Sequence, residues 1–404
     1  MTRVLVTDGE QRAALAAVRS LGRAGHQVSV CASTDRCLAG ASRFAKDRHV
    51  APNPLDDPAG FVDSVARLCR ELEIDVLLPI TDAALEGILP ARNHFHPTRI
   101  PFPDFAVYTR ISDKARLMAK ARELGIPTPE EVCLESPVDD LENLTIPSFP
   151  LVIKPSRSVI LTEQGKRKVS VRHVQDEDEL RAGLRHYPDG AYPLLLQQYI
   201  PGAGEGGFFL IRDGEAVARF AHRRLREKPP SGGVSVYRES IALAHDVESH
   251  SLRLLRAFEW SGVAMVEFRR SRLDGRAYLM EVNGRFWGSL QLAVDSGVDF
   301  PRLLLEAAME DPVEPVSQYR TGIRSRWWLG DLDHLLIRLR GGGGPQQVSQ
   351  ELGSRAAGVA RFLIPWRPGD RSEVMKISDP GPGLREMADW GQALLKRRPT
   401  EGAS

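Results

Sequence analysis

The chain has 404 residues, with 54 lysines and arginines against 53 aspartates and glutamates, for a formal net charge of +1. That length accommodates two to four compact units, enough for a large core and a cleft between domains. The balanced, scattered charge argues against a nucleic-acid partner, and no run of about 18 apolar residues offers a membrane span.

Strand and helix patterns alternate through the first hundred residues: RVLVTD, a helix over about 12–22, HQVSVCAS, a helix over about 61–72, then IDVLLPITD. This rhythm predicts βαβ units on a parallel sheet. In such sheets ligands gather beyond the carboxyl ends of the strands, where Asp8 and Asp82 fall. Each either caps the helix that follows or meets a ligand. No GxGxxG follows the first strand, so a dinucleotide has no cradle there. The four cysteines, Cys31, Cys37, Cys69 and Cys133, form no CxxC pair and suit reduced thiols in a cytoplasm. The opening MTRVLVTDGE enters a strand pattern at once, unlike a signal peptide.

From Ser112, SDKARLMAKARELGIPTPE predicts a helix capped by Ser112 or Asp113, ending near Leu124, with Gly125 as stop and Pro127 beyond. PLVIKPSRSVILTEQGKRKVSVRHV supplies two β-rich runs around a polar loop, followed by a helix over about 176–186. Next, LLLQQYIPGAGEGGFFLIRDGEAVARFAHRRL opens a strand-rich region with a hairpin at Asp213-Gly214. A loop and a helix over about 250–258 lead to the strands GVAMVEFRR and RAYLMEVNGRF. GGGGP at 341–345 marks a flexible joint, and the rest reads as a weakly patterned appendage. Four segments are expected: 1–110, 111–196, 197–315 and 316–404. Trp327 and Trp328 should pack the appendage against the body or serve a homodimer surface.

The chemistry concentrates in LMEVNGRFWGS, where Glu281, Asn283 and Arg285 alternate along a strand. A three-residue loop, Leu273-Asp274-Gly275, would pair Glu267 with Glu281 on one face; a two-residue Asp-Gly turn would put them on opposite faces. In the first register Glu267, Glu281 and Asn283 form an all-oxygen cluster suited to Mg²⁺, and Arg285 faces a phosphate or carboxylate. Lys154 ends an apolar strand, where a buried ammonium needs an anionic partner. Lys114 lies in the first turn of its helix, where a cation is disfavoured unless a ligand compensates.

Five ordered motifs, SDKARLMAK, PLVIKPS, LLLQQYIPG, GVAMVEF and MEVNGRF, resemble the ATP-grasp superfamily and its carboxylate-amine ligase branch over about 4–305. The resemblance implies an α/β (α+β) fold with a Rossmann-like first domain, a small lid and a catalytic sheet, binding ATP and Mg²⁺, with Mn²⁺ as substitute. It implies that Lys114 and Lys154 contact phosphates and that the hinge Gln197, Gln198, Tyr199 and Ile200 meets adenine. Glu205 would bind ribose, and the polar loop with Ser156, reaching to Lys168, would fold over the triphosphate. Glu267, Glu281 and Asn283 would hold magnesium. The segment 222–235, read as a loop, would line the acceptor pocket through Arg224, Ser231, Gly232 and Gly233. Lys154, Arg285 and Arg224 would carry catalysis: a carboxylate becomes an acyl phosphate and a small-molecule amine displaces phosphate. A bicarbonate-activating carboxylase and a nucleotide-binding regulator without turnover are the rival readings. EVMKI around Lys376 mimics a biotin-attachment site, but the DPGPG that follows interrupts the strand such a carrier needs.

Overall fold

Val4, Leu5 and Val6 are completely buried, as suits an apolar run in a parallel sheet covered on both faces. The computed structural model describes residues 1–138, 141, 144–162, 165–230, 232–340, 354–363 and 369–396. In it the run is β1 (Arg3–Val6), followed by α1 (Arg12–Arg23), β2 (Gln27–Ala32), β3 (Asp47–Val50), α2 (Pro58–Glu71), β4 (Val76–Leu78) and α3 (Asp82–Ile88). The strands form a parallel sheet in the order β3-β2-β1-β4. Neither aspartate at the strand ends is a helix cap: Thr81 caps α3 by accepting from the Ala84 N–H at 3.2 Å. Asp8, at φ 54°, accepts from the Thr81 hydroxyl at 2.8 Å and the Ile80 N–H at 3.2 Å, tying the ends of β1 and β4 together.

The helices α4 (Phe105–Ser112) and α5 (Lys114–Glu123) lead to the lid. Asp113 is the α5 cap, accepting from the Arg116 N–H at 3.1 Å, and Gly125 at φ 65° follows the helix in the left-handed conformation. The lid contains β5 (Glu131–Leu134), β6 (Leu151–Pro155), β7 (Val159–Thr162), β8 (Gly165–Lys168), β9 (Arg172–Val174), α6 (Glu177–Leu184) and β10 (Leu194–Gln198). Its antiparallel sheet has the order β5-β10-β6-β9, while β7 and β8 pair separately. The stretch expected as an irregular loop before Lys168 is therefore a hairpin.

The largest sheet is built on β11 (Gly202–Arg212), β12 (Glu215–Lys228), β13 (Val234–Ser240), then α7 (His245–Ala257), β14 (Gly262–Ser271) and β15 (Ala277–Asn283). The β11–β12 turn has Asp213 at φ 53° and Gly214 at φ 79°, positive values at both turn positions as a tight hairpin demands. Two expectations need correction. The segment 222–235 is mostly strand, because β12 runs to Lys228; and α7 begins five residues earlier than the apolar pattern suggested, in a polar turn, HDVES.

After α8 (Leu290–Ser296) and α9 (Phe300–Ala308), the remaining elements are β16 (Arg324–Arg326), α10 (Trp328–Leu339), α11 (Arg355–Leu363), β17 (Asp370–Ser372) and α12 (Gly381–Lys396). The strand order β15-β14-β11-β12-β13-β16-β17 shows that the last segment completes the main sheet rather than hanging from it. The joint at 341–345 lies outside the described residues. Arg19, 1% exposed, leaves α1 to bond Asp379 at 2.7 Å and the Glu373 and Val374 carbonyls. Arg238 of β13, fully buried, pairs with Glu373 at 2.5 Å. Trp327 is covered by Arg12 at 3.9 Å and donates to Glu386 at 2.6 Å. Lys376 is bonded to Asp295 at 3.0 Å, so its amine is engaged within the fold.

Candidate active site

Paired residues in an antiparallel sheet share a face. Glu267 pairs with Gly206 on one side and Glu281 on the other, Met265 pairs with Asn283, and Gly206 pairs with His222 in β12. One face therefore carries Glu267, Glu281 and Asn283, with Arg224 two residues beyond His222. The expected three-residue turn is replaced by a longer loop and a register shift at Glu267/Phe268, yet the two glutamates meet.

Arg224 donates to the Glu267 carboxylate and, at 2.8 Å, to Glu227. Glu281 accepts from the Asn283 amide at 2.9 Å and lies 3.8 Å from the Lys114 ammonium. The Asn283 carbonyl accepts from Arg285 at 2.9 Å. Burial raises the Glu267 carboxyl, and Glu281 opposite adds to this against the pull of Arg224. Burial also disfavours ionised Glu281, but Lys114, the Asn283 amide, Lys154 and Arg285 overcome it and hold that carboxyl at about 2. Two facing carboxylates with an amide oxygen beside them suit a hard divalent cation. Among the described residues no three His, Cys, Asp or Glu side chains form a metal group alone.

Lys154 reaches across from β6, its ammonium 3.8 Å from the Met280 sulfur. Burial pushes it down to about 8, with Lys114 and Arg269 adding to the shift and Glu281 and Glu267 opposing it. Lys114, 7% exposed, donates to the Ser158 hydroxyl at 3.1 Å. Ser156 is turned inward: its hydroxyl donates to Asp113 at 2.6 Å and accepts from the Ala115 N–H, so it joins lid to helix.

In the lid sheet Lys154 pairs with Leu195 and Val152 with Gln197, which puts Gln197 on the Lys154 face and Gln198 on the opposite one with Leu151. The Gln197 amide donates to Glu131 at 2.6 Å, and its carbonyl oxygen is buried without a partner. That orphaned acceptor fits a donor such as the adenine amino group. Tyr199, on the same side, packs with Val152, and Ile200 is also buried.

Glu205 requires a correction. It pairs with Phe268 and Arg223, one residue out of phase with Glu267, and so projects from the other face. There it accepts from Arg270 at 2.8 Å and 2.9 Å, and Arg270 also binds Asp246 of α7 at 2.8 Å. Gly204 occupies the site face instead, so close to Arg224 that a Cβ would stand 2.9 Å from its Cδ.

In the acceptor segment Ser231 lies outside the described residues. The Gly232 N–H donates to the Pro229 carbonyl at 3.2 Å, so it is not held out towards a substrate, and the Gly233 carbonyl accepts from Arg224 at 3.2 Å. Arg285 pairs with Asp82 at 2.8 Å, across to the first domain, and Tyr108 donates to the same carboxylate at 2.9 Å. Arg285 and Asp82 line a cleft of about 380 Å³ at the carboxyl ends of β1, β2 and β4, together with Asp8, Glu10, Arg12 and Lys168. Its mixed charge suits a zwitterionic or carboxylate ligand. Sequence reasoning singled out Asp82 by its place after the strand and Lys168 as the end of the polar loop, whereas Arg12 and Tyr108 carried no local signal.

This cleft between a lid and a catalytic sheet is an ATP-grasp architecture, and the similarities to known proteins support the ATP-grasp superfamily. A family model described as "ATP-grasp in the biosynthetic pathway with Ter operon" matches residues 192–329. The N5-carboxyaminoimidazole ribonucleotide synthase of Synechococcus elongatus is 23% identical over 317 residues, covering 76% of this chain and 75% of that protein. The fold is similar to that of an L-amino acid ligase from Bacillus licheniformis, with a TM-score of 0.60 and 19% identity over 78% of this chain and 75% of that one. It is also similar to N5-carboxyaminoimidazole synthetase from Staphylococcus aureus complexed with ADP, with a TM-score of 0.59 and 12% identity over 80% of each chain.

Proposed function

We propose that the protein is an ATP-dependent ligase that joins a small-molecule carboxylate to an amine through an acyl phosphate. The observation that carries this reading is the convergence of Glu267, Glu281 and Asn283 with Lys114, Lys154 and Arg285 on one cleft. Magnesium, held by the two glutamates and Asn283, would neutralise triphosphate charge. Gln197 receives adenine, and Lys114 and Lys154 bind phosphate oxygens. A carboxylate in the cleft beside Asp82 is oriented by Arg285; its oxygen bonds to the γ-phosphorus as the bond to ADP breaks. The amine nitrogen then attacks the carbonyl carbon, phosphate departs, and a proton leaves the nitrogen. Ser158, immediately before β7, sits beside Lys114 and so brings the β7–β8 hairpin next to the phosphate site, where it would exclude water from the intermediate.

We read 1–110 as the first domain, 111–196 as connector and lid, 197–315 as the catalytic part and 316–404 as its C-terminal completion. Among the described residues no helix is long and apolar enough to cross a membrane, and Cys31, Cys37, Cys69 and Cys133 are unpaired thiols, which supports a cytoplasmic setting. A screen for ADP and phosphate release across carboxylates, each with pooled amines and mass detection of products, tests the reading. Glu281→Gln should lower turnover by roughly 10²–10³ while the protein still folds; undiminished turnover removes the metal assignment. ADP release driven by bicarbonate alone would favour a carboxylase, and ATP binding with no ADP from any pair would favour a regulator.

A further inference from the structure

Arg12 lines the cleft of the first domain, yet residues from the far end of the chain fix it there. It opens α1, where the positive end of the helix dipole gives a cation no support, so its placement has to come from elsewhere. Glu373, just after β17, accepts from its Nη1 at 2.6 Å, and the Trp327 ring lies 3.9 Å from its guanidinium carbon. Glu373 is 2% exposed, and its own N–H donates to the Arg326 carbonyl at 3.1 Å, so the carboxylate is anchored to the main sheet. Burial opposes its ionised form, but Arg12 and Arg238 hold the carboxyl below the usual glutamate value. Arg12 and Glu373 both lie outside the residues 192–329 that the family model matches.

Three described cations line this cleft: Arg12, Lys168 and Arg285. Arg285 has its outer nitrogens engaged by Asp82 at 2.8 Å, Asn283 at 2.9 Å and the Phe286 carbonyl at 3.0 Å. Lys168 is exposed. Arg12 differs from both: its side chain is only 10% exposed, and among the described residues no acceptor meets its Nε or Nη2. Its Nη2 lies over Gly288, where a Cβ would stand 3.1 Å away, and Gly288 borders the cleft. With one nitrogen and one face held by the protein, the guanidinium keeps its other edge for an acceptor that enters the cleft.

We propose that Arg12 is a binding residue for the carboxylate substrate, and that Glu373 and Trp327 are positioning residues that act on that substrate through it. The C-terminal segment then belongs to the substrate site as well as to the main sheet. The inference rests on the ligase reading, which puts a carboxylate in this cleft, and gives that carboxylate a second anchor besides Arg285.

Calorimetry on the full chain loaded with ADP and Mg²⁺, titrated with succinate, glutarate and the standard amino acids one at a time, tests it. The tightest wild-type binder should weaken tenfold or more in Arg12→Gln and at most threefold in Arg12→Lys, with ADP affinity unchanged in both. Glu373→Gln and Trp327→Leu should each weaken the same acid, and adding either to Arg12→Gln should cause no further loss, a non-additivity that a purely structural role would not produce. Glu373→Gln also strips buried Arg238 of its anion, so Trp327→Leu carries the comparison where that variant does not fold. No acid bound by the wild type, a loss below tenfold in Arg12→Gln, an equal loss of ADP affinity, or additive losses overturns the proposal. Hydroxylamine reads the ligase step separately, since its nitrogen attacks an acyl phosphate, expels phosphate and leaves a hydroxamate. Arg12-dependent binding with no hydroxamate from any acid removes the ligase reading and leaves Arg12 as the anchor of a bound acid. Hydroxamate formed with the same KM for the acid in wild type and Arg12→Gln keeps the ligase and removes the contact.

Discussion

Glu267 stands opposite Glu281 although the turn joining their strands is one residue too long for it. The Ser271 N–H donates to the Arg276 carbonyl at 2.9 Å, leaving the loop 272–275 with Gly275 at φ 72°. Continued regularly, that register would face Glu267 with Met280 and turn Glu281 to the far side. A bulge absorbs Met280 as the extra residue and returns Glu281 to the cleft. The bulged side chain is used as well, since its sulfur meets the Lys154 ammonium.

Nucleotide affinity should depend on Lys154 protonation. With its ammonium at about 8 in the free protein, below the ordinary lysine value, the lysine loses its charge as pH rises through 8, whereas bound phosphates would hold the proton. ADP affinity measured by calorimetry between pH 7 and 9.5 should fall above pH 8 by up to about tenfold per unit. Lys154→Gln should bind more weakly and flatten this dependence; an unflattened profile would assign the titration to another group.

Gly284, in the middle of EVNGRF, has the Trp260 ring against it, and a Cβ there would lie 2.3 Å from the indole. Gly284→Ala must displace either the ring or the strand end that aims Asn283 and Arg285. Such overpacking costs about 1–3 kcal/mol. Urea denaturation should show this loss together with reduced turnover, and a variant with wild-type stability and activity would refute the tight contact.

The Arg19–Asp379 pair, with both side chains 1% exposed, fastens the C-terminal segment to α1. Arg19→Met leaves a buried carboxylate without its cation and should cost about 3–5 kcal/mol, whereas Arg19→Met with Asp379→Asn should cost less. Burial raises the Asp379 carboxyl, but Arg19, the Arg43 N–H and the Ser42 hydroxyl together lower it. Its stabilisation is therefore present above the ordinary aspartate value and is lost as pH falls through the depressed folded value. In Arg19→Met acid unfolding should begin at a higher pH, and equal losses for the single and double variants in urea would contradict the pairing.

Glu205 provides a check on the sheet faces. Because it holds Arg270 against α7, Glu205→Gln should lower stability, by about 1 kcal/mol given its partial exposure, and leave the ADP dissociation constant within about twofold. A tenfold weakening of ADP binding would return Glu205 to the nucleotide side.

Much of the cleft is legible along the chain because its chemistry is local. Strand periodicity places Glu281 and Asn283 together, Asp113 and Gly125 bracket the Lys114 helix, and the run LVI delivers Lys154 to a strand end. The choice between Gln197 and Gln198 is not local; it follows from which side of β6 faces the catalytic sheet. Glu205 misleads for a similar reason, since alternation says which neighbours share a face but not which face is covered. The strands β16 and β17, read as RSR and DRS, have no apolar signal and exist because their backbones pair with β13 and with each other. Arg285 meets Asp82, and Arg19 meets Asp379, only after domains distant in sequence have packed. Side-chain type and spacing thus specify the ATP-grasp resemblance and the inventory of the cleft. Register, face and long-range ion pairing depend on bulges and burial between remote segments, whose energies no local pattern contains.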